Sequence, residues 1–180
     1  MKKRKNHKKP LNMKKIFFIG SVLLTISLVA QQQENRFLIK NVKINNKFQN
    51  FGTTFYGPNK DKVIYSSQES KNSLLDLYIG NIAKDGEITN SKKLEGLNTK
   101  SYESNVTFSR DGKTVYFTRS LYGKQNTIKK DKNKLATIAI FKADVTSSGK
   151  WINVEPLSIN GNFDVGHPTL NKDNTKMYFT

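Results

Sequence analysis

Cysteine is absent from the 180-residue chain. This removes a disulfide framework, a thiolate nucleophile, a thiolate metal site and a lipid-modified N-terminal cysteine from the chemistry open to it. Histidine is scarce: His7 lies in the basic N-terminal segment and His167 precedes Pro168. Neither comes with the partners that a general base or metal ligand needs, and His167 reads as a structural residue at a strand start. No G-x-S-x-G elbow, H-E-x-x-H pair or phosphate-binding loop occurs. Acidic residues are few as well, 14 against 31 Lys and Arg, for a formal charge of +17.

A field of that sign attracts polyanions such as nucleic acid or a membrane surface, but its distribution argues otherwise. Residues 1–30 contain Lys2, Lys3, Arg4, Lys5, Lys8, Lys9, Lys14 and Lys15 and no acid, so they carry +8 of the total and leave +9 for the rest. The same segment continues into the apolar run "IFFIGSVLLTISLVA", Ile16 to Ala30, and then turns polar at Gln31. A basic start, a short apolar stretch and a small residue before a polar continuation predict a secretory signal cleaved after Ala30, with Met1 or Met13 as the start. The run is short and interrupted by polar residues for a bilayer span, which needs ~20 apolar residues. An uncleaved anchor is the alternative. An exported chain without disulfides depends on its core, and 36% hydrophobic with 11% aromatic residues suffices to build one.

The remainder repeats itself. Val63 to Ser66 ("VIYS"), Val115 to Thr118 ("VYFT") and Met177 to Thr180 ("MYFT") align without a gap, bringing Asn59, Asp111 and Asp173 together, and likewise Tyr56, Phe108 and Leu170. The spacings are 52 and 62 residues. A second motif, "LDLYIGNIAKDGEI" at 75–88, matches "IAIFKADVTSSGKW" at 138–151 at an offset of 63. A third joins the units: "GLNTKSYESN" at 96–105, "SINGNFDVGH" at 158–167 and, with one gap, "KINNKFQNFG" at 43–52.

Asp111-Gly112 supplies the positive φ that tight hairpins require, and Asp173-Asn174 and Asn59-Lys60 stand in its place in the other copies. Ser147-Ser148-Gly149 turns a second hairpin. Two hairpins per unit give four strands. Such sheets bury both faces by stacking radially, at repeat lengths that suit propeller blades.

The expected fold is therefore all-β: an incomplete β-propeller of about two and a half four-stranded antiparallel blades behind an N-terminal signal helix. The boundaries are a signal peptide over 1–30, a linker and outer strand over 31–50 ("FLIKNVKI" at 37–44 being that strand), a first blade over 51–100, a second over 101–161, and a partial third over 162–180. Since about four blades are needed to close a ring, the repeat predicts that the chain is a fragment. Its second unit carries an insertion between Thr118 and Ile138. Lys124, Lys129, Lys130, Lys132 and Lys134 in this insertion form either a binding patch for an anionic glycan or lipid headgroup, or a solvated loop.

"SNVTFSRDGKTVYFT" and "GHPTLNKDNTKMYFT" resemble the WD-type, TolB-like β-propeller repeat, although Lys60 and Asn174 replace Gly112, and Thr54 and Val106 replace Pro168, in the other copies. The stretch from "NNKFQNFGTTFYGPNKDKVIYSSQ" onward is similar to exported OmpA-family envelope proteins of Gram-negative bacteria. The resemblance covers about residues 37–180 and implies a non-catalytic interaction module in the periplasm or at the outer membrane. It further implies indirect membrane association, no cofactor, no nucleic acid, and partners among envelope proteins, peptidoglycan or other glycans met through sequence beyond Thr180. Some members of that family belong to the type IX secretion apparatus. Two enzymatic alternatives stand beside it. "SRDGKT" is similar to a sialidase Asp-box but lacks the residue that separates Asp from Gly there, and beyond the signal only Arg36, Arg110 and Arg119 are present to bind a substrate carboxylate. The other alternative is the propeller of an exported peptidase.

Overall fold

Strands form where β-branched and aromatic residues alternate, and they end where a residue with access to positive φ follows. A computed structural model of the chain describes residues 39–121, 129–130 and 136–180. All regular structure among these residues is β. The first sheet comprises β1 (Asn50–Tyr56), β2 (Lys62–Gln68), β3 (Leu75–Ile82) and β4 (Ile88–Lys93). The second comprises β5 (Glu103–Phe108), β6 (Thr114–Ser120), β7 (Ile138–Val145) and β8 (Trp151–Pro156). A short hairpin follows, β9 (Thr169–Leu170) with β10 (Met177–Tyr178). Each sheet is an antiparallel meander with its strands in chain order. Asn41–Thr180 forms one compact unit. The signal segment lies outside the described residues.

The two sheets share one core. Ile64 and Leu77 of the first pack with Val106, Val115, Phe117, Ala143 and Trp151 of the second, and Leu97 of the connecting segment joins them. Phe117, Ile64, Leu77 and Val115 are wholly buried, each contributing ~1.5–3 kcal/mol by leaving water. Trp151 lies 5.8 Å from Phe117 and meets Phe108 edge-on at 5.7 Å, while Phe108 stacks on Tyr56 of the first sheet at 4.8 Å. Aromatic residues thus fill the space between sheets that neither could keep dry alone.

The backbone repeats more closely than the side chains. All three first-type turns place a residue at positive φ on one position: Lys60 (52°), Gly112 (69°) and Asn174 (59°). The second-type turns do so at Gly86 and Gly149, both 81°. Asn90 (50°) and Asn153 (54°) recur 63 residues apart beside register shifts in β4 and β8. Gly52 (68°), Asn105 (41°) and His167 (55°) form a further series at the unit starts. At two of these positions the bent backbone presents its N–H to the preceding sheet: Asn105 N donates to Ser66 Oγ at 3.3 Å and His167 N to Thr118 Oγ1 at 2.8 Å. Asn98 grips Leu77 through its N–H and carbonyl at 2.8 and 2.9 Å, and Asn160 grips Ile140 in the same way at 2.9 and 2.8 Å.

The structure differs from the sequence reading at three places. The ungapped alignment breaks at the first turn. Tyr56 pairs with Lys62, whereas Phe108 pairs with Val115, so residues 57–61 do the work of 109–114. Gly57, at φ 89°, tightens that turn, and the bulge residues Gly52 and Asn105 are consequently 53 apart. Of the strand expected over 37–44, the described residues 39–44 form none; Asn45 N closes a turn onto Val42 O and Lys43 N donates to Glu87 Oε2. β9 and β10 are two residues each, shorter than their counterparts.

Candidate functional site

The three first-type turns converge at one end of the sheets around a groove of about 600 Å³, within the size range of ligand sites. Its floor and walls come from the ends of β1, β5 and β9 and the turns that follow them: Thr54 to Pro58, Thr107 to Gly112, and Leu170 to Lys172 with Asn174. The charged lining residues are Lys60, Arg110 and Lys172 and one carboxylate, Asp111. The Ser109 hydroxyl donates to Asp111 at 2.6 Å and Lys113 N donates at 3.1 Å. These bonds hold the Asp111 carboxyl below its ordinary range, the Ser109 bond first. Arg110 N donates to Asn174 Oδ1 at 3.1 Å, tying the second turn to the third. Phe55 is 63% exposed at the groove.

A second groove, about 480 Å³, adjoins the first and shares Tyr56, Gly57 and Pro58 with it. It is lined further by Lys62, Lys92, Lys93, Lys150 and Glu95, with Ile79 and Leu94 as apolar wall. Lys93 is engaged by Asp76 at 2.8 Å and Glu69 at 3.2 Å, and these contacts raise its pKa. Tyr78 OH donates to Glu69 at 2.6 Å. That bond and the Lys93 contact lower the Glu69 carboxyl.

At a different level in the sheets, Arg119 and Glu103 are register partners on β6 and β5. Both are buried; Arg119 Nε donates to Glu103 Oε1 at 3.0 Å and its Nη2 to Leu97 O at 2.6 Å. The guanidinium lies over Phe117 and Phe141 at 4.9 and 5.3 Å. Burial pushes the Glu103 carboxyl up, opposed by the Thr99 hydroxyl and the Arg119 charge. The equivalent pair in the first sheet is neutral: Ser67 Oγ donates to Asn50 Oδ1 at 2.8 Å. One unit therefore uses an ion pair where the other uses a hydrogen bond, which marks the position as structural.

Of the five lysines singled out in the sequence, Lys129 and Lys130 are described and Lys124, Lys132 and Lys134 lie outside the described residues. Lys129 Nζ donates to Asn162 Oδ1 at 3.3 Å, and Lys130 bridges Ala136 through the backbone. Neither Lys129 nor Lys130 lines the grooves at the turns. His167 is exposed and serves through its backbone N–H. Arg110 lines the groove and Arg119 does not. Among the described residues no group of three His, Asp or Glu could hold a metal ion.

The groove cations were not distinguished in the sequence because Lys60 and Lys172 are far apart along the chain. The available signal was that Arg110 and Lys172 stand 62 residues apart, the second repeat spacing. No protein-family model, curated protein or solved structure matches the chain.

Proposed function

We propose that residues 41–180 are successive blades of a β-propeller in an exported envelope protein of the OmpA-family type, acting as a non-catalytic module for protein or glycan contacts near the outer membrane and peptidoglycan. The observation that carries this reading is the recurrence of one four-stranded meander with its positive-φ residues, asparagine grips and inter-sheet N–H to hydroxyl bonds at fixed spacings. Units so joined present their turns side by side at one end, where a binding surface can be varied without touching the core.

Export is tested by fusing residues 1–30 to a reporter active only outside the cytoplasm. The interaction role is tested by fractionating a Gram-negative host and assaying the purified chain on fluorogenic sialosides and peptides. The expected result is export, sedimentation with envelope material and no turnover. A cytoplasmic reporter, or hydrolysis of either substrate, overturns the reading.

A further inference from the structure

We infer that the two adjoining grooves at the turn end form one track for an extended acidic peptide. The inference goes beyond the interaction-module reading, which supplies only its biological setting. The grooves meet at Tyr56, Gly57 and Pro58, so an extended ligand can run from one into the other across the first turn. Charge favours an anion throughout: Lys60, Arg110 and Lys172 line one groove, and Lys62, Lys92 and Lys150 line the other, against the carboxylates of Asp111 and Glu95. Asp111 is already satisfied by Ser109 and Lys113, which reduces its opposition to an incoming carboxylate.

The walls favour a peptide over an acidic polysaccharide. Val145 and Leu170, with the exposed ring of Phe55, line the first groove together with its cations, and Ile79 and Leu94 line the second. Such positions accept apolar side chains, which a sugar polymer does not carry, while the cations accept carboxylates between them. The Arg110 N–H to Asn174 bond joins two of the turns, so part of the site is ordered before a ligand arrives.

The direct test measures fluorescence anisotropy of a labelled peptide of alternating Glu and Leu titrated with the full chain. A Gln-for-Glu version and oligogalacturonate serve as competitors. One variant combines Lys60→Asn, Arg110→Ser and Lys172→Ser; Asn is used at position 60 because φ there is 52°. The other replaces Lys124, Lys129, Lys130, Lys132 and Lys134 with Ser and removes more charge from a different loop. The expected result is a Kd raised roughly tenfold or more by the groove variant and little changed by the loop variant, with unfolding midpoints near wild type for both. A groove variant that binds as wild type does, or a loop variant that loses as much affinity, overturns the inference, and so does oligogalacturonate outcompeting the peptide. Because the reporter fusion reads export separately, failure of the envelope reading and failure of the peptide track are distinguishable.

Discussion

Arg119→Ser isolates the largest electrostatic commitment in the second sheet. The substitution leaves Glu103, wholly buried, without the guanidinium bonded to it at 3.0 Å, and unpairing a buried ion costs ~3–5 kcal/mol. The first sheet shows how the same position is satisfied without charge, by Asn50 and Ser67 in the same register. Adding Glu103→Asn to Arg119→Ser copies that solution. The double variant still loses the cation's contact with Phe117 and Phe141 and its bond to Leu97 O, about 1–2 kcal/mol together. It is therefore expected to be more stable than the single variant, although it carries one more substitution. Urea unfolding followed by fluorescence of Trp151, the chain's one tryptophan and part of this core, reports all three proteins. A single variant within about 1 kcal/mol of wild type, or a double variant no more stable than the single, refutes the argument that Glu103 depends on Arg119.

Three further outcomes follow from the geometry. Because burial raises the Glu103 carboxyl, the folded state holds its proton more tightly than the unfolded chain does. Wild type should thus lose stability relative to Glu103→Gln as pH rises from the ordinary glutamate range through Glu103's higher value, and urea titrations at stepped pH should show the difference moving in that direction. Asn98→Ala and Asn160→Ala each remove both bonds of a backbone grip; each should cost about 1–3 kcal/mol in the same assay, and a neutral result at both would discard the grip as a stabilising element. Lys60→Gly relieves a left-handed side-chain-bearing residue and should raise stability by up to about 1 kcal/mol, read as a higher urea midpoint; a fall in the midpoint would contradict this.

The hairpins were legible in the sequence because their signals are local. Asp111-Gly112 and Gly149 announce positive φ, and the flanking Val115, Tyr116, Phe117 and Ile138, Ile140, Phe141 announce strands. The spacing of the units was legible for the same reason, since each turn and strand is written out again. What escaped depends on contacts between units. The third motif put Gly52, Asn105 and His167 in one column, but nothing in "NFG", "SNV" and "GHP" declares that they bend the backbone alike, because Gly, Asn and His share no pattern except tolerance of positive φ. The one-residue difference in the first turn was hidden by the good match of Tyr56 to Phe108, which do meet, but across the two sheets rather than as equivalent pairing positions. "FLIKNVKI" has the composition of a strand, yet over 39–44 the chain makes a turn and bonds to Glu87. The candidate site was the least visible part. Its cations belong to separate turns, while the lysine-rich loop drew attention through local density alone.

Nuclear Overhauser contacts between the units give the most direct test of the central claim, that equivalent four-stranded sheets are joined face to face in one repeated geometry. The account predicts contacts from the Asn105 amide to Ser66, from the His167 amide to Thr118, and from the Tyr56 ring to the Phe108 ring. A spectrum that keeps the cross-strand contacts within each sheet but lacks these contacts between units would contradict it.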